Sequence, residues 1–129
     1  MNFYIVTQTP GLGYDDKEGV QYDYPVSIPD GKQIRIWDVL ISNLTKKKAR
    51  KLGNENQRLT GFAIIEDIKL KMNDNRRFAI TRYFTYKKFE PRLTFKDIGG
   101  DPRSNQTNSI NMINIHRIID ILLYILFKM

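Results

Sequence analysis

The fold is decided by two neighbouring extended segments, which together read GFAIIEDIKLKMNDNRRFAITRYFTY over residues 61–86. Residues 61–70 and 78–86 are rich in β-branched and aromatic side chains, which suit a pleated sheet. The turn formers Asn-Asp-Asn lie between them at residues 73–75. We therefore predict a β-hairpin whose first strand is partly buried on both faces.

Shorter extended segments flank this hairpin in the sequence. FYIVT at residues 3–7 and the apolar positions from Ile34 to Ile41 predict two strands before it. Residues 91–95 predict a short edge strand after it, because Pro91 lacks the N–H group that an inner strand must donate. A curved sheet of several short strands is the expected result.

The pattern changes towards the last residues of the chain. From about Ser109 the apolar spacing is typical of one helix, and residues 123–127 are apolar on nearly every side. Strands followed by one helix favour an α+β fold, with a small, strongly curved β-barrel, flanking short helices and a C-terminal helix. We place the barrel in residues 1–98 and a polar loop with the helix in residues 99–129. The helix is expected to pack on the barrel or on a partner, as a homodimer or with a separate nuclease subunit.

The composition excludes several classes of chemistry. A chain of 129 residues is expected to form one domain. It has no cysteine, which excludes disulfides, a thiolate zinc site and a cysteine nucleophile. The first residues do not resemble a signal peptide, and the terminal helix is too short and too polar for a membrane span. We expect a cytoplasmic protein that does not contact a membrane.

The charge favours a polyanionic partner, because the formal net charge is +7. Six residues, KKKARK at 46–51, form the densest basic run, and we expect them to lie in a mobile, solvated loop. The predicted phosphate contacts are Lys46, Lys47, Lys48, Arg50, Lys51, Arg58, Arg82 and Lys87.

A segment rich in glycine and proline, residues 12–32, carries three closely spaced tyrosines and reads as a long ordered loop. Aromatic rings at that density in a polar loop cannot all reach one core, so at least one is expected to stack on a planar ligand. Further along the chain, the indole of Trp37, the carboxylate of Asp38 and the amide of Asn43 could complete a pocket that holds a nucleobase and reads its edge. The predicted base pocket consists of Tyr14, Asp15, Asp16, Tyr22, Tyr24, Trp37, Asp38 and Asn43.

One enzymatic pattern remains as an alternative. Asp30, followed far downstream by Asp67-Ile68-Lys69, matches the acid, then acid-x-lysine arrangement of magnesium-dependent nucleases. Asp15-Asp16-Lys17 matches the second half equally well, so the pattern has little specificity. The single histidine, His116, cannot form a pair of metal-binding histidines and is interpreted as a surface or boundary residue of the helix.

The sequence also resembles a known family of domains. The string YDDKEGVQYDYP at residues 14–25 resembles the opening motif of EVE-like domains of the PUA-like superfamily. These domains are the amino-terminal specificity modules of modification-dependent restriction endonucleases. The likeness continues through residues 38–43, 60–68 and 83–91 and covers about residues 3–95. It implies a curved barrel that flips a modified base into an aromatic pocket.

This chain departs from the family pattern in two respects. Family members usually carry a glycine where this chain has Trp37, and their domain is normally fused to a nuclease or a nucleotide-driven motor. The resemblance and the charge together predict a module that binds DNA containing a modified, methylated base, as part of a restriction system. Catalytic activity of its own and a cofactor are not expected. RNA with a modified base is the near alternative, and the magnesium-dependent nuclease the distant one.

Overall fold

The computed structural model describes residues 1–7, 20–25, 27–28, 30–73 and 76–127. These residues form the strands β1 (Phe3–Thr7), β2 (Gln21–Pro25), β3 (Val39–Asn43), β4 (Gln57–Asn73), β5 (Arg76–Thr94) and β6 (Ile110–Met112). They also form the helices α1 (Lys46–Lys51) and α2 (Ile115–Phe127) and a short 3-10 turn at Gly31–Gln33.

The strands build one mixed sheet in the order β2-β5-β4-β3-β1-β6, which curls into a half-barrel. Strands β1 and β3 are parallel, whereas every other neighbouring pair is antiparallel. The expected small, curved sheet with few helices is therefore present. Strand β6, beyond residue 98, belongs to the same sheet as the strands before it.

The long hairpin of β4 and β5 is confirmed, and its register shifts explain its curvature. The pairing is irregular around Leu59 and again around Ile65, and such bulges bend a strand and increase its twist. Gly61 lies opposite Lys88 between these points. A Cβ atom there would lie 2.5 Å from the Lys87 carbonyl oxygen, so only glycine permits this close approach of the two strands.

The expected separate edge strand at residues 91–95 is wrong, because β5 continues through Pro91 to Thr94. Strand β2 pairs only with residues 78–82 of β5. Pro91 therefore lies on a part of β5 whose outer side has no ladder partner in the described chain, where a missing N–H group costs little.

Two hydrophobic cores lie on opposite faces of the central strands, since successive side chains of a strand alternate between faces. Along β1, Tyr4 and Val6 point to one core and Ile5 points to the other. The first core, inside the half-barrel, contains Tyr4, Val6, Tyr22, Tyr24, Ile34, Leu40, Ala63, Ile65, Tyr83 and Ile110. The second contains Ile5, Ile41, Leu59, Phe89, Leu93, Ile98, Ile113, Ile118 and Ile121, so α2 covers this face.

Three local expectations are wrong. The basic run at residues 46–51 is not a loop but helix α1, because the Thr45 side chain caps it by accepting a hydrogen bond from the Lys48 N–H at 3.2 Å. The second strand begins at Val39, after a turn at Trp37, rather than at Ile34. The helix expected from Ser109 begins only at Ile115, since residues 110–112 pair with β1.

Candidate nucleic-acid interface

A polar cleft of about 480 Å³ opens at the end of β1 and β3. Segment 103–109 forms one wall and is joined to β1 by a hydrogen bond from the Thr7 N–H to the Ser109 carbonyl, at 2.7 Å. The start of α1 forms the opposite wall. The lining residues are Thr7, Thr45, Lys46, Arg58, Arg103, Gln106, Thr107, Asn108 and Ser109.

Arg103 is fixed in the wall of this cleft, with its side chain only 5% exposed. Its Nε and Nη2 donate to the two carboxylate oxygens of Asp101, at 3.0 and 2.7 Å. Its guanidinium also lies 4.9 Å from the centre of the Phe95 ring. Burial acts to raise the pKa of Asp101, but the hydrogen bonds and charge of Arg103 outweigh it, so this pKa is lowered.

A second guanidinium, that of Arg58, lies on the same phenylalanine. Its Cζ is 5.3 Å from the centre of the Phe95 ring, and its Nε donates to the Leu44 carbonyl oxygen at 2.8 Å. Burial lowers the pKa of Arg58, and the charge of Arg103 lowers it further. Two guanidiniums therefore share one carboxylate at this point, which leaves the wall of the cleft positively charged.

A neighbouring hollow of about 410 Å³ extends the cleft past the start of α1. It shares Lys46 and Arg58 with the cleft and adds Lys96 at its far end. The one carboxylate in its lining, Glu55, is paired with Arg50 at 2.7 Å. We call the two hollows together the basic groove, after the four cations that line it: Lys46, Arg58, Lys96 and Arg103.

The structure brings some of the predicted phosphate contacts together. Lys46 and Arg58 line the basic groove, and the other cations of α1, Lys47, Lys48, Arg50 and Lys51, are exposed beside it. Arg82 and Lys87 are exposed on β5, outside the lining of the groove. Sequence reasoning missed Arg103, although the spacing Asp101-Pro102-Arg103 could have indicated a carboxylate that pairs with a nearby guanidinium.

The predicted aromatic base pocket is wrong for two of its tyrosines. Tyr22 and Tyr24 are buried in the first core, where their rings stack with centroids 5.5 Å apart. Burial raises the pKa of Tyr24. Both tyrosines lie on strand β2 rather than in a loop. Because their rings are buried in the core, they cannot stack on a ligand. The remaining members of the motif, Tyr14, Asp15 and Asp16, lie outside the described residues.

Asp38 and Asn43 are also buried, and each has a structural partner. The carboxylate of Asp38 accepts hydrogen bonds from the backbone N–H groups of Asn2 and Arg35, both at 2.8 Å. The Asn43 amide donates to the Thr7 hydroxyl at 2.9 Å, directly behind the wall of the cleft. In the described part of the chain, the side-chain oxygen Oδ1 of Asn43 has no hydrogen-bond partner.

Trp37 is the one predicted pocket residue that the structure places at the surface within the described ranges, with 54% of its area exposed. Its backbone φ is 72°, and its N–H donates to the Ile65 carbonyl oxygen at 2.9 Å. The indole lies edge-on to the exposed ring of Phe84, with centroids 5.4 Å apart. Strand β3 separates Trp37 from the basic groove, a distance of about 20 Å along an extended chain.

The carboxylates of the alternative nuclease site lie on different elements. Asp30 accepts a hydrogen bond from the Met112 N–H at 2.9 Å, so it is tied to the edge strand β6. Asp67 lies on β4, opposite Arg82, and two strands separate β4 from β6 in the sheet. Among the residues that the structure describes, no three His, Asp or Glu side chains converge on one point.

None of the helices within the described ranges is both long and apolar enough to cross a bilayer. No family model, curated protein or solved structure matches this chain. The function is therefore inferred from the basic groove and from the exposed aromatic pair.

Proposed function

We propose that this chain binds nucleic acid, with phosphates in the basic groove. The observation that carries the proposal is the charge of the cleft, where Lys46, Arg58 and Arg103 face one small volume and a single carboxylate, Asp101, offsets them. A bound phosphate would supply the missing negative charge and accept hydrogen bonds from the guanidinium groups.

A polymer fits this surface better than a single small anion. The exposed lysines of α1 continue the positive charge beyond the cleft, and Lys96 continues it along the second hollow. A chain of phosphates can contact all of these cations at once, and each contact releases condensed counterions. The net charge of +7 would also draw such a ligand in from a distance.

As its ligand we propose double-stranded DNA with a modified base, read by an EVE-like module of the PUA-like superfamily in a restriction or defence system. The curled half-barrel and the motif at residues 14–25 support this assignment. So does the backbone of Trp37: glycine is usual at this position in EVE-like domains, and glycine readily adopts a φ of 72°. Since Tyr22 and Tyr24 are core residues, Trp37 with Phe84 is the surface on which an extruded base would stack.

The salt dependence of binding tests the phosphate contacts. We expect the affinity for a DNA duplex to fall with salt, with a log–log slope of about −0.9 for each phosphate contact. Arg58→Ala and Lys46→Ala should each flatten that slope by about one contact and weaken plain and modified duplexes alike. Lys69→Ala, at an exposed lysine of β4 outside the groove, is the matched control and should change neither slope nor affinity.

A slope that stays the same in both groove variants would refute the placement of phosphates in the groove. A panel of duplexes with methylated, hydroxymethylated or glucosylated bases, together with RNA carrying a modified base, then identifies the ligand. Equal affinity for every member of the panel would leave nucleic-acid binding intact but contradict the reading of a modified base.

A further inference from the structure

Helix α2 exposes a continuous apolar stripe on the side that faces away from the barrel. Ile118 and Ile121 are buried in the second core, so the buried side of the helix is already occupied. Four other side chains project outward within a sector of about 60°, at 100° of rotation per residue. These are Ile115, Ile119, Leu122 and Leu126, with exposures of 68, 52, 42 and 69%.

The helix is held in this orientation and cannot turn its stripe inward. Arg117, on another side of α2, donates from Nη2 to the carbonyl oxygens of Gly100 and Ile98, at 2.7 and 3.3 Å. Leu123 and Phe127 widen the apolar surface along one flank and are 50 and 76% exposed. A hollow of about 380 Å³ between this flank and residues 97–99 leaves room for further side chains.

The stripe is large enough to form a specific interface. With the two flanking residues it leaves on the order of 600 Å² of apolar surface per subunit, and two such surfaces bury the roughly 1,200 Å² of a small stable interface. Soluble monomers rarely expose a continuous patch of this size on one helix. The polar residues at its rim, His116 and Asp120, do not form the basic border of a helix that lies on an anionic membrane.

The spacing of the stripe fits a second copy of the same helix. Its members are separated by four, three and four residues, and this sequence of spacings reads the same in both directions. We propose that α2 pairs with α2 of a second copy of this chain, in antiparallel orientation about a two-fold axis. In that arrangement Ile115 faces Leu126 of the other copy and Ile119 faces Leu122, so each apolar side chain meets another.

Sedimentation velocity over a range of protein concentrations tests the dimer. The unmodified chain should sediment as a dimer at micromolar concentration. Ile119→Glu and Leu126→Glu each place an unpaired charge in the seam and should raise the dissociation constant by about a hundredfold or more. Leu70→Glu is the matched control, because Leu70 on β4 is 70% exposed, almost equal to the 69% of Leu126, and should leave the dimer unchanged.

Introduced thiols test the orientation, since the chain has no cysteine of its own. Ile115→Cys and Leu126→Cys proteins, mixed and oxidised, should give mainly the disulfide between the two different variants. Homodisulfides of each variant would indicate parallel helices and contradict the antiparallel pair. A chain that stays monomeric at high concentration overturns the proposal, and binding of that monomer to anionic vesicles would assign the stripe to a membrane surface instead.

Discussion

Trp37 combines two features that are rarely found together, a left-handed backbone and a half-exposed bulky side chain. A residue held in this region costs on the order of 1–3 kcal/mol, and the neighbouring structure must fix it in place. Here two hydrogen bonds fix the turn. The Trp37 N–H donates to the Ile65 carbonyl oxygen, and the Arg35 N–H donates to the Asp38 carboxylate. Since the indole is not buried in either core, packing alone does not explain why tryptophan occupies this position.

Replacement of Trp37 by glycine separates a binding role from a structural one. Glycine adopts a φ of 72° without strain, so Trp37→Gly should leave the free energy of unfolding within about 1 kcal/mol of the original value. The lost stacking should weaken binding to a duplex with a modified base by about tenfold to a hundredfold. Binding to plain DNA should change far less. Equal losses on both duplexes, or a large loss of stability, would contradict the stacking role.

The tyrosines of β2 show how a sequence pattern can support two structures. Tyr22 and Tyr24 are two positions apart, which suits one face of a strand, but Gly19 and Pro25 on either side favoured a loop. The deciding contacts are tertiary, because both rings stack inside a core that residues from all five other strands complete. Lys46 and Arg58 could be predicted as ligand contacts from charge alone, whereas the buried position of Arg103 depends on Phe95.

At the scale of elements, the ion pair between Asp101 and Arg103 fixes the start of segment 101–109, which forms a wall of the groove. The pKa of Asp101 is lowered below its usual range in the folded chain, so this carboxylate stabilises the fold above about pH 4 and loses that effect as the pH falls further. Protonation of Asp101 releases Arg103. We therefore expect stability to decline on acidification below about pH 4.

The variant Asp101→Asn checks this expectation. Its stability should be lower than that of the original chain at neutral pH and should depend less on pH in the acid range, because the titrating carboxylate is absent. Asp120→Asn, at an exposed acid of α2, is the control and should retain the original acid profile. An unchanged profile in Asp101→Asn, measured by chemical unfolding at each pH, would show that the ion pair does not hold the wall.

The elements that sequence reasoning found are those with strong local signals. The hairpin of β4 and β5 has a clear turn and long runs of strand-forming residues, and β1 has a compact apolar run. Helix α1 was missed because its one apolar residue, Ala49, gives no periodicity, and its cap at Thr45 is the only start signal. Strand β6 has three residues and exists only because β1 offers it an edge.

At the scale of the whole molecule, buried phenols set the limit of stability in alkali. Burial raises the pKa of Tyr4, with a further contribution from the charge of Asp38, and burial raises that of Tyr24. Both side chains are therefore neutral in the folded chain at a pH where they ionise in the unfolded chain. Stability should be unaffected below about pH 10 and should fall as the pH rises above it.

The ultraviolet absorbance of tyrosinate, followed together with chemical unfolding, measures this effect. Tyr24→Phe should lose less stability between about pH 10 and pH 12 than the original chain, because it has one buried phenol fewer. Full ionisation of all tyrosines before any unfolding would contradict the burial of Tyr24.

The pairing of β1 with β6 also decides the order in which the chain can assemble during synthesis. Ile5 lies opposite Asn111, so β1 leaves the ribosome about a hundred residues before the strand that completes its outer edge. Until then the outer edge of β1 is an open template for another extended chain. Contacts over so long a loop slow folding, and the nascent chain is therefore exposed to edge-to-edge aggregation until residues 110–112 emerge.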